Sequence, residues 1–260
     1  MKKIAIIGMG VVGQGMFNLF KDRFEVIGYD TKIDKDRTKV MGCDLAIICV
    51  PTNMRPDGSA DTSIVEEVVS WLDTPLILIK STVPPTTTEK LVAKYNKEIC
   101  FSPEYMGESK NFTPFWKYAD PTDAKKHDFV IVGGNKANDI LAYFMKVMAV
   151  EAHYTSCTSR EAELVKYMEN SYFATKVTFC NEFYDIAQAL EIDFNKVREM
   201  WLLDSRVDRN HTLVFKDERG FGGKCLPKDV NAIVKASEDA GYHPTLLKSV
   251  LSTNKRIRNV

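Results

Sequence analysis

Ile4-Ala5-Ile6-Ile7-Gly8-Met9-Gly10-Val11-Val12-Gly13 runs a short apolar stretch straight into a glycine-spaced turn and from there into helical spacing over Val12–Lys21. A G-x-G-x-x-G turn in that context has a physical reason for each glycine. Gly8 permits a tight turn, Gly10 lets a pyrophosphate approach the backbone, and Gly13 lets helix and strand pack closely. The N–H groups at the helix start, Val11 and Val12 among them, then face the phosphates. Asp30 follows Gly8 by 22 residues and ends the next apolar stretch, where a carboxylate accepts hydrogen bonds from ribose hydroxyls. The same carboxylate repels a 2′-phosphate, which favours NAD over NADP. Lys32 and Lys35 could offset Asp30 and admit NADP.

Working outward, Lys3–Ile7, Glu25–Tyr29, Leu45–Val50, Leu76–Ile79, Ile99–Phe101 and Phe129–Val132 are continuously apolar, the pattern of strands covered on both faces. Between them Val12–Lys21, Ile64–Leu72, Thr87–Tyr95 and Lys136–Met148 carry helical spacing. Strands alternating with helices predict an α/β, Rossmann-like, doubly wound parallel sheet. From about Cys157 the pattern becomes helical: Glu161–Leu190 contains no Gly or Pro, and Asn195–Leu202, Val230–Ala240 and Thr245–Val260 follow. The expected organisation is a cofactor-binding domain over 1–156 and a long connecting helix with an all-helical domain over 157–260.

With 260 residues, 45% hydrophobic and 27% charged, the chain can bury two cores. Thirty-five basic and thirty-five acidic residues cancel, so no overall charge draws it to nucleic acid or to an anionic membrane. Any anion must be held locally. No apolar run approaches the ~20 residues that span a bilayer. Glycines interrupt the stretch after Met1-Lys2-Lys3 that would otherwise imitate a signal peptide. The six cysteines are scattered without a C-x-x-C pair, which points to neither a zinc site nor a disulfide framework and fits a reducing cytoplasm.

One thiol has unusual neighbours. Gly220-Phe221-Gly222-Gly223-Lys224-Cys225-Leu226-Pro227-Lys228-Asp229 puts Cys225 at the end of a glycine-rich loop that can bring backbone N–H groups to a ligand. Lys224 and Lys228 are cations that favour a thiolate. This stretch resembles the cysteine motif of the UDP-glucose/GDP-mannose dehydrogenases, and other landmarks of that family follow in order. They are Val50-Pro51-Thr52 with Asp57-Gly58-Ser59-Ala60-Asp61, Lys80-Ser81-Thr82-Val83-Pro84, Ser102-Pro103-Glu104-Tyr105-Met106-Gly107-Glu108, and Glu163-Leu164-Val165-Lys166-Tyr167-Met168-Glu169-Asn170 with Asn181-Glu182.

The resemblance implies NAD-dependent oxidation of the C6 primary alcohol of a nucleotide sugar to a uronic acid, in two steps through a Cys225 thiohemiacetal and thioester. It makes Lys166 and Asn170, at i and i+4 of one helix, the pair that steadies a substrate oxygen. Glu104 becomes the base for thioester hydrolysis, and Thr82 with Asp229 hold its water and proton network. Glu108 lines the boundary between nicotinamide and sugar, while Lys35, Thr52, Thr82 and Lys228 contact NAD. Glu104, Glu108, Lys166, Asn170 and the backbone at Gly220, Gly222 and Gly223 hold the sugar. No metal is implied.

Members of that family commonly carry a further nucleotide-binding domain, and this sequence stops within Thr245–Val260. A truncated piece, a naturally short product and a subunit completed by another chain are all open readings. The family also dimerises through its C-terminal helix, which makes Leu246, Leu247, Val250 and Leu251 an expected interface. Two rivals stand beside this one. A two-electron 3-hydroxyacid dehydrogenase has no use for Cys225, and a non-catalytic NAD-binding subunit would bind NAD without turnover.

Overall fold

The computed structural model describes residues 1–106 and 123–259, which form two compact units. The first comprises residues 1–53, 60–106 and 123–166, and the second 54–59 and 167–259.

Seven strands make the sheet of the first unit: β1 (Lys3–Ile7), β2 (Glu25–Tyr29), β3 (Leu45–Ile48), β4 (Ile77–Ile79), β5 (Ile99–Phe101), β6 (Phe129–Gly133) and β7 (His153–Cys157). They lie in the order β2-β1-β3-β4-β5-β6-β7. β1 pairs in parallel with β2 on one side, Ile7 opposite Tyr29, and with β3 on the other, Ile7 opposite Ile48. The chain therefore reverses direction across the sheet between β1 and β3, and the crevice beyond their carboxyl ends is where open α/β sheets bind ligands.

Alternate residues of the central strands feed two cores. Ile4, Ile6, Leu45, Ile47 and Leu78 pack with Met16, Leu19 and Phe20 of α1 (Val11–Phe20) and Ile140 and Phe144 of α4 (Ala137–Phe144). Ala5, Ile7, Ala46, Ile48 and Ile79 pack on the other face with Val65, Val68 and Val69 of α2 (Ser63–Trp71) and Leu91 of α3 (Thr87–Tyr95). Each Val, Leu, Ile, Met or Phe among them contributes about 1.5–3 kcal/mol by leaving water.

Two features depart from the sequence reading. His153–Cys157 is a strand, parallel to β6, that apolar patterning misses because none of its residues is buried. β5 and β6 are antiparallel, joined by the single pair Phe101 and Gly133, so the sheet is mostly rather than wholly parallel.

A buried carboxylate fixes the start of α5 (Ser159–Ala189) within this unit. Glu163 is fully buried and accepts from Thr86 N at 2.7 Å, Thr88 N at 2.8 Å and Thr88 Oγ1 at 2.6 Å, closing the open first turn of α3. Burial pushes its carboxyl up to about 7, from an ordinary 4.5. The folded chain then holds that proton more tightly than the unfolded one. The stabilisation is complete below about pH 4.5 and disappears as pH rises through 7. Burial holds the imidazole of His127 below its usual range, which acts in the opposite sense as pH falls. Comparison with Glu163→Gln isolates the carboxyl. Between pH 5 and 8 the parent should lose on the order of 3 kcal/mol relative to the variant in urea melts, and parallel pH profiles would contradict this assignment.

In the second unit the rest of α5 is joined by α6 (Phe194–Trp201), α7 (Leu226–Asp239) and α8 (Thr245–Arg258). Its core gathers Ala174, Phe221, Val230 and Val250, with Leu247 and Leu251 against them. Of the four residues expected to face a partner, Val250 lies in this core and Leu247 and Leu251 are half-buried against it. Leu246 alone of the four is largely exposed.

Candidate active site

The turn after β1 has the geometry that its glycines require. Gly8 has φ +91°, and a Cβ there would lie 2.6 Å from the Cys49 carbonyl oxygen. A Cβ on Gly13 would lie 1.9 Å from the carbonyl oxygen of Gly8, so strand and helix meet at hydrogen-only separation. Gly10 is different: a Cβ on it would meet no atom of the described residues within 4 Å. Gly10 occupies the N-cap of α1 with no side-chain cap, and Val11 and Val12 follow in the first turn. The first N–H groups of α1 are left to an anion.

Asp30 stands just past β2 and is tied to this turn. Its Oδ2 accepts from Met9 N at 2.9 Å and its Oδ1 from Lys32 N at 2.9 Å. These two donors, Lys32 first, hold the carboxyl below the usual carboxylate range, so it is ionised at neutral pH. Each oxygen keeps a lone pair for a ribose hydroxyl. Lys32 and Lys35 are exposed. Arg37, the one arginine close behind β2, is engaged elsewhere: it pairs with Glu67 and lies 4.7 Å above the Trp71 ring. A cradle open at Gly10, a phosphate-ready helix start and an ionised Asp30 fit NAD, whose ribose carries no 2′-phosphate.

Other candidates in the first unit gather near the ends of β3, β4 and β5. Thr52 is buried and donates from Oγ1 to the Thr82 carbonyl at 2.8 Å. Glu104 is buried, with Oε1 accepting from Tyr105 N at 2.7 Å and Met106 N at 2.6 Å. Its Oε2 lies 3.5 Å from Nζ of Lys80, which donates to the Pro103 carbonyl at 2.7 Å. Lys80 thus anchors the loop that carries Glu104. Its signal in the sequence is a lysine directly after a buried strand. Lys166 is buried on α5, 5.1 Å above the Tyr105 ring. Glu108 lies outside the described residues.

The second unit holds the thiol loop. Cys225 is exposed and caps the start of α7, with Pro227 in the first turn, where its missing N–H costs nothing. Its carbonyl accepts from Asp229 N at 2.9 Å. Asp229 is 2% exposed; its Oδ2 accepts from Asn170 Nδ2 at 2.6 Å, and Oδ1 pairs with the Lys228 ammonium. Asn170 is one turn beyond Lys166 on α5. Gly220 and Gly223 adopt left-handed conformations, at φ +71° and +73°. A Cβ on Gly222 would press within 3.0 Å of the Arg258 guanidinium, whereas Gly223 is open. No group of three or more His, Cys, Asp or Glu side chains suited to a metal ion occurs among the described residues. Among them, no helix is long and apolar enough to cross a membrane.

A switch-point glycine cradle with an ionised carboxylate behind β2 defines a dinucleotide-binding protein whose site suits NAD. Residues 31–148 match the NAD binding domain, and residues 160–256 the central domain, of the UDP-glucose/GDP-mannose dehydrogenase family. The chain belongs to that family. It is 29% identical over 235 residues to the UDP-glucose 6-dehydrogenase TuaD of Bacillus subtilis, covering 84% of this chain and 48% of that protein. With AglM of Haloferax volcanii, another UDP-glucose 6-dehydrogenase, it shares 27% over 243 residues, covering 84% and 54%. A UDP-glucose dehydrogenase structure from Pyrobaculum islandicum superposes with a TM-score of 0.84 at 28% identity, over 98% of this chain and 68% of that one. The chain spans about half the length of the curated relatives that it matches.

Proposed function

We propose that this chain carries the NAD site and the chemical groups of a nucleotide-sugar 6-dehydrogenase, with UDP-glucose as the sugar class its relatives suggest. The observation that carries this reading is Cys225: a thiol exposed at a helix start, in a glycine loop, one turn before a buried Asp229 bonded to Asn170. A two-electron hydroxyacid dehydrogenase has no task for that thiol.

Bound NAD supplies the two-electron acceptor for each of two successive oxidations. Glycines 8, 10 and 13, the first turn of α1 and Asp30 hold it, with Lys35, Thr52, Thr82 and Lys228 assigned as further contacts. The alcohol first becomes an aldehyde. The Cys225 sulfur adds to the aldehyde carbon, and the resulting hemithioacetal is oxidised to a thioester that water cleaves to carboxylate and thiol. The first-turn N–H groups of α7 favour negative charge beside them. Lys166 donates to the substrate oxygen as charge develops on it, and Asn170, oriented by Asp229, donates beside it. Glu104 takes the proton of the hydrolytic water, steadied by Thr82. The backbone at Gly220, Gly222 and Gly223 holds the sugar.

Homodimerisation belongs to the same reading. The expected surface is the C-terminal helix α8, where Leu246 is exposed and Leu247 and Leu251 are half-buried. A cytoplasmic, reducing setting suits a thiol nucleophile. Counting NADH released per UDP-glucose consumed tests the chemistry. Two is the expected ratio, and a ratio of one would overturn it.

A further inference from the structure

The loop that ends in Cys225 has an unusual support. Phe221 is 3% exposed, and both its main-chain polar groups are buried without a strand or helix to pair them. Asn254 of α8, 7% exposed, pairs both: its Oδ1 accepts from Phe221 N at 2.7 Å and its Nδ2 donates to the Phe221 carbonyl at 2.9 Å. One amide side chain thus replaces a neighbouring strand, since an unpaired buried N–H or C=O is costly. The neighbouring glycine is matched to it. A Cβ on Gly220 would lie 2.4 Å from Asn254 Oδ1, so the amide reaches the loop only because residue 220 is glycine.

Two further groups grip the same segment. Asn181 of α5 accepts from Gly220 N at 3.0 Å and from Arg219 Nε at 2.7 Å. Arg258, one turn beyond Asn254, donates to the Arg219 carbonyl at 3.0 Å, with its guanidinium against Gly222. The loop is therefore held at 219–221, while Gly223 has no atom of the described residues within 4 Å of a Cβ, and the chain runs from there to the thiol. The side chain of Phe221 is locked in the core with Ala174, Val230 and Val250.

We propose that Asn254 is the positioning residue of the thiol loop, setting where the Cys225 sulfur and the backbone at 222–224 are presented to the sugar. The proposal rests on Cys225 being the nucleophile, but alkylation of that thiol reads it without any turnover. Asn254 acts through Phe221, whose N–H and carbonyl it bonds.

The test is the rate at which iodoacetamide alkylates Cys225, located by peptide mass spectrometry across pH 6 to 9, in the full chain and two variants. In Asn254→Ala the rate should change at least tenfold and the midpoint of its pH profile should move, and the Phe221 amide should lose protection from hydrogen exchange. Asn254→Asp keeps shape and acceptor but turns a second acceptor toward the Phe221 carbonyl. It should behave like Asn254→Ala at pH 8. On acidification its protonated carboxyl can donate again, so the alkylation rate relative to the parent should return toward one. Parent-like alkylation profiles in both folded variants would overturn the proposal. So would an Asn254→Asp defect that does not recover on acidification, because a merely structural role would not track the protonation of residue 254. Should Asn254→Ala fail to fold, the isosteric Asp variant decides alone. If nucleotide-sugar turnover is absent while these alkylation results hold, the proposed function fails and the positioning role stands.

Discussion

Gly13→Ala should abolish measurable NAD binding and lower the melting temperature by on the order of 10 °C. The added methyl would lie 1.9 Å from the Gly8 carbonyl oxygen, a collision with backbone rather than with a side chain that can swing away. Relief requires α1 to move off β1, through the packing of Met16, Leu19 and Phe20 on the sheet. Overpacking of this kind costs about 3 kcal/mol or more, and each kcal/mol shifts the melting point by roughly 2–4 °C at this size. Gly10→Ala is its counterpart. Its methyl meets no atom of the described residues within 4 Å, so the melting point should stay within about a degree. The methyl would occupy the space through which a pyrophosphate reaches the helix start, and the Kd for NAD should rise about tenfold or more. Calorimetry and thermal melts on the pair separate the two roles. Equal damage to stability from both variants would contradict the assignment of Gly10 to the ligand.

Cys225→Ser should stop the proposed reaction at the aldehyde. The residue is exposed, so losing the sulfur leaves no cavity and the fold should be unchanged. A serine hydroxyl is a far weaker nucleophile than a thiolate, and uronate formation should fall on the order of 10³-fold. NADH per sugar should drop from two toward one. Undiminished uronate formation by this variant would remove the thiol from the chemistry.

The distribution of such effects explains what could be read in the sequence. The cradle was legible because each of its glycines answers a local backbone requirement, and Asp30 because a strand end fixes its place relative to them. Six of the seven strands were legible through continuous apolarity. β7 was not, because an edge strand without a buried residue leaves no apolar trace, and the antiparallel β5–β6 pair was not, because a single register pair reflects chain direction rather than composition. In the candidate site, Cys225 and its glycines announce themselves within ten residues. Asn254 does not: a helical asparagine has no local signature, and its partner Phe221 is 33 residues away. Glu163 and Lys80 stand in the quoted motifs without a role, because what they bind is decided by tertiary packing. The apolar stripe of α8 was equally visible, yet the same pattern serves a partner surface or the unit's own core, and here Val250 lies in that core.

The most direct test of the thiol chemistry is to trap the acyl group. In Glu104→Gln the proposed base is absent, so hydrolysis of the thioester should slow while the steps before it continue. After incubation of that variant with NAD and UDP-glucose and an acid quench, peptide mass spectrometry should find the peptide containing Cys225 heavier by one nucleotide-sugar acyl group, with hydroxylamine removing it. An unmodified Cys225 peptide, with NADH released at two per sugar, would contradict the covalent route.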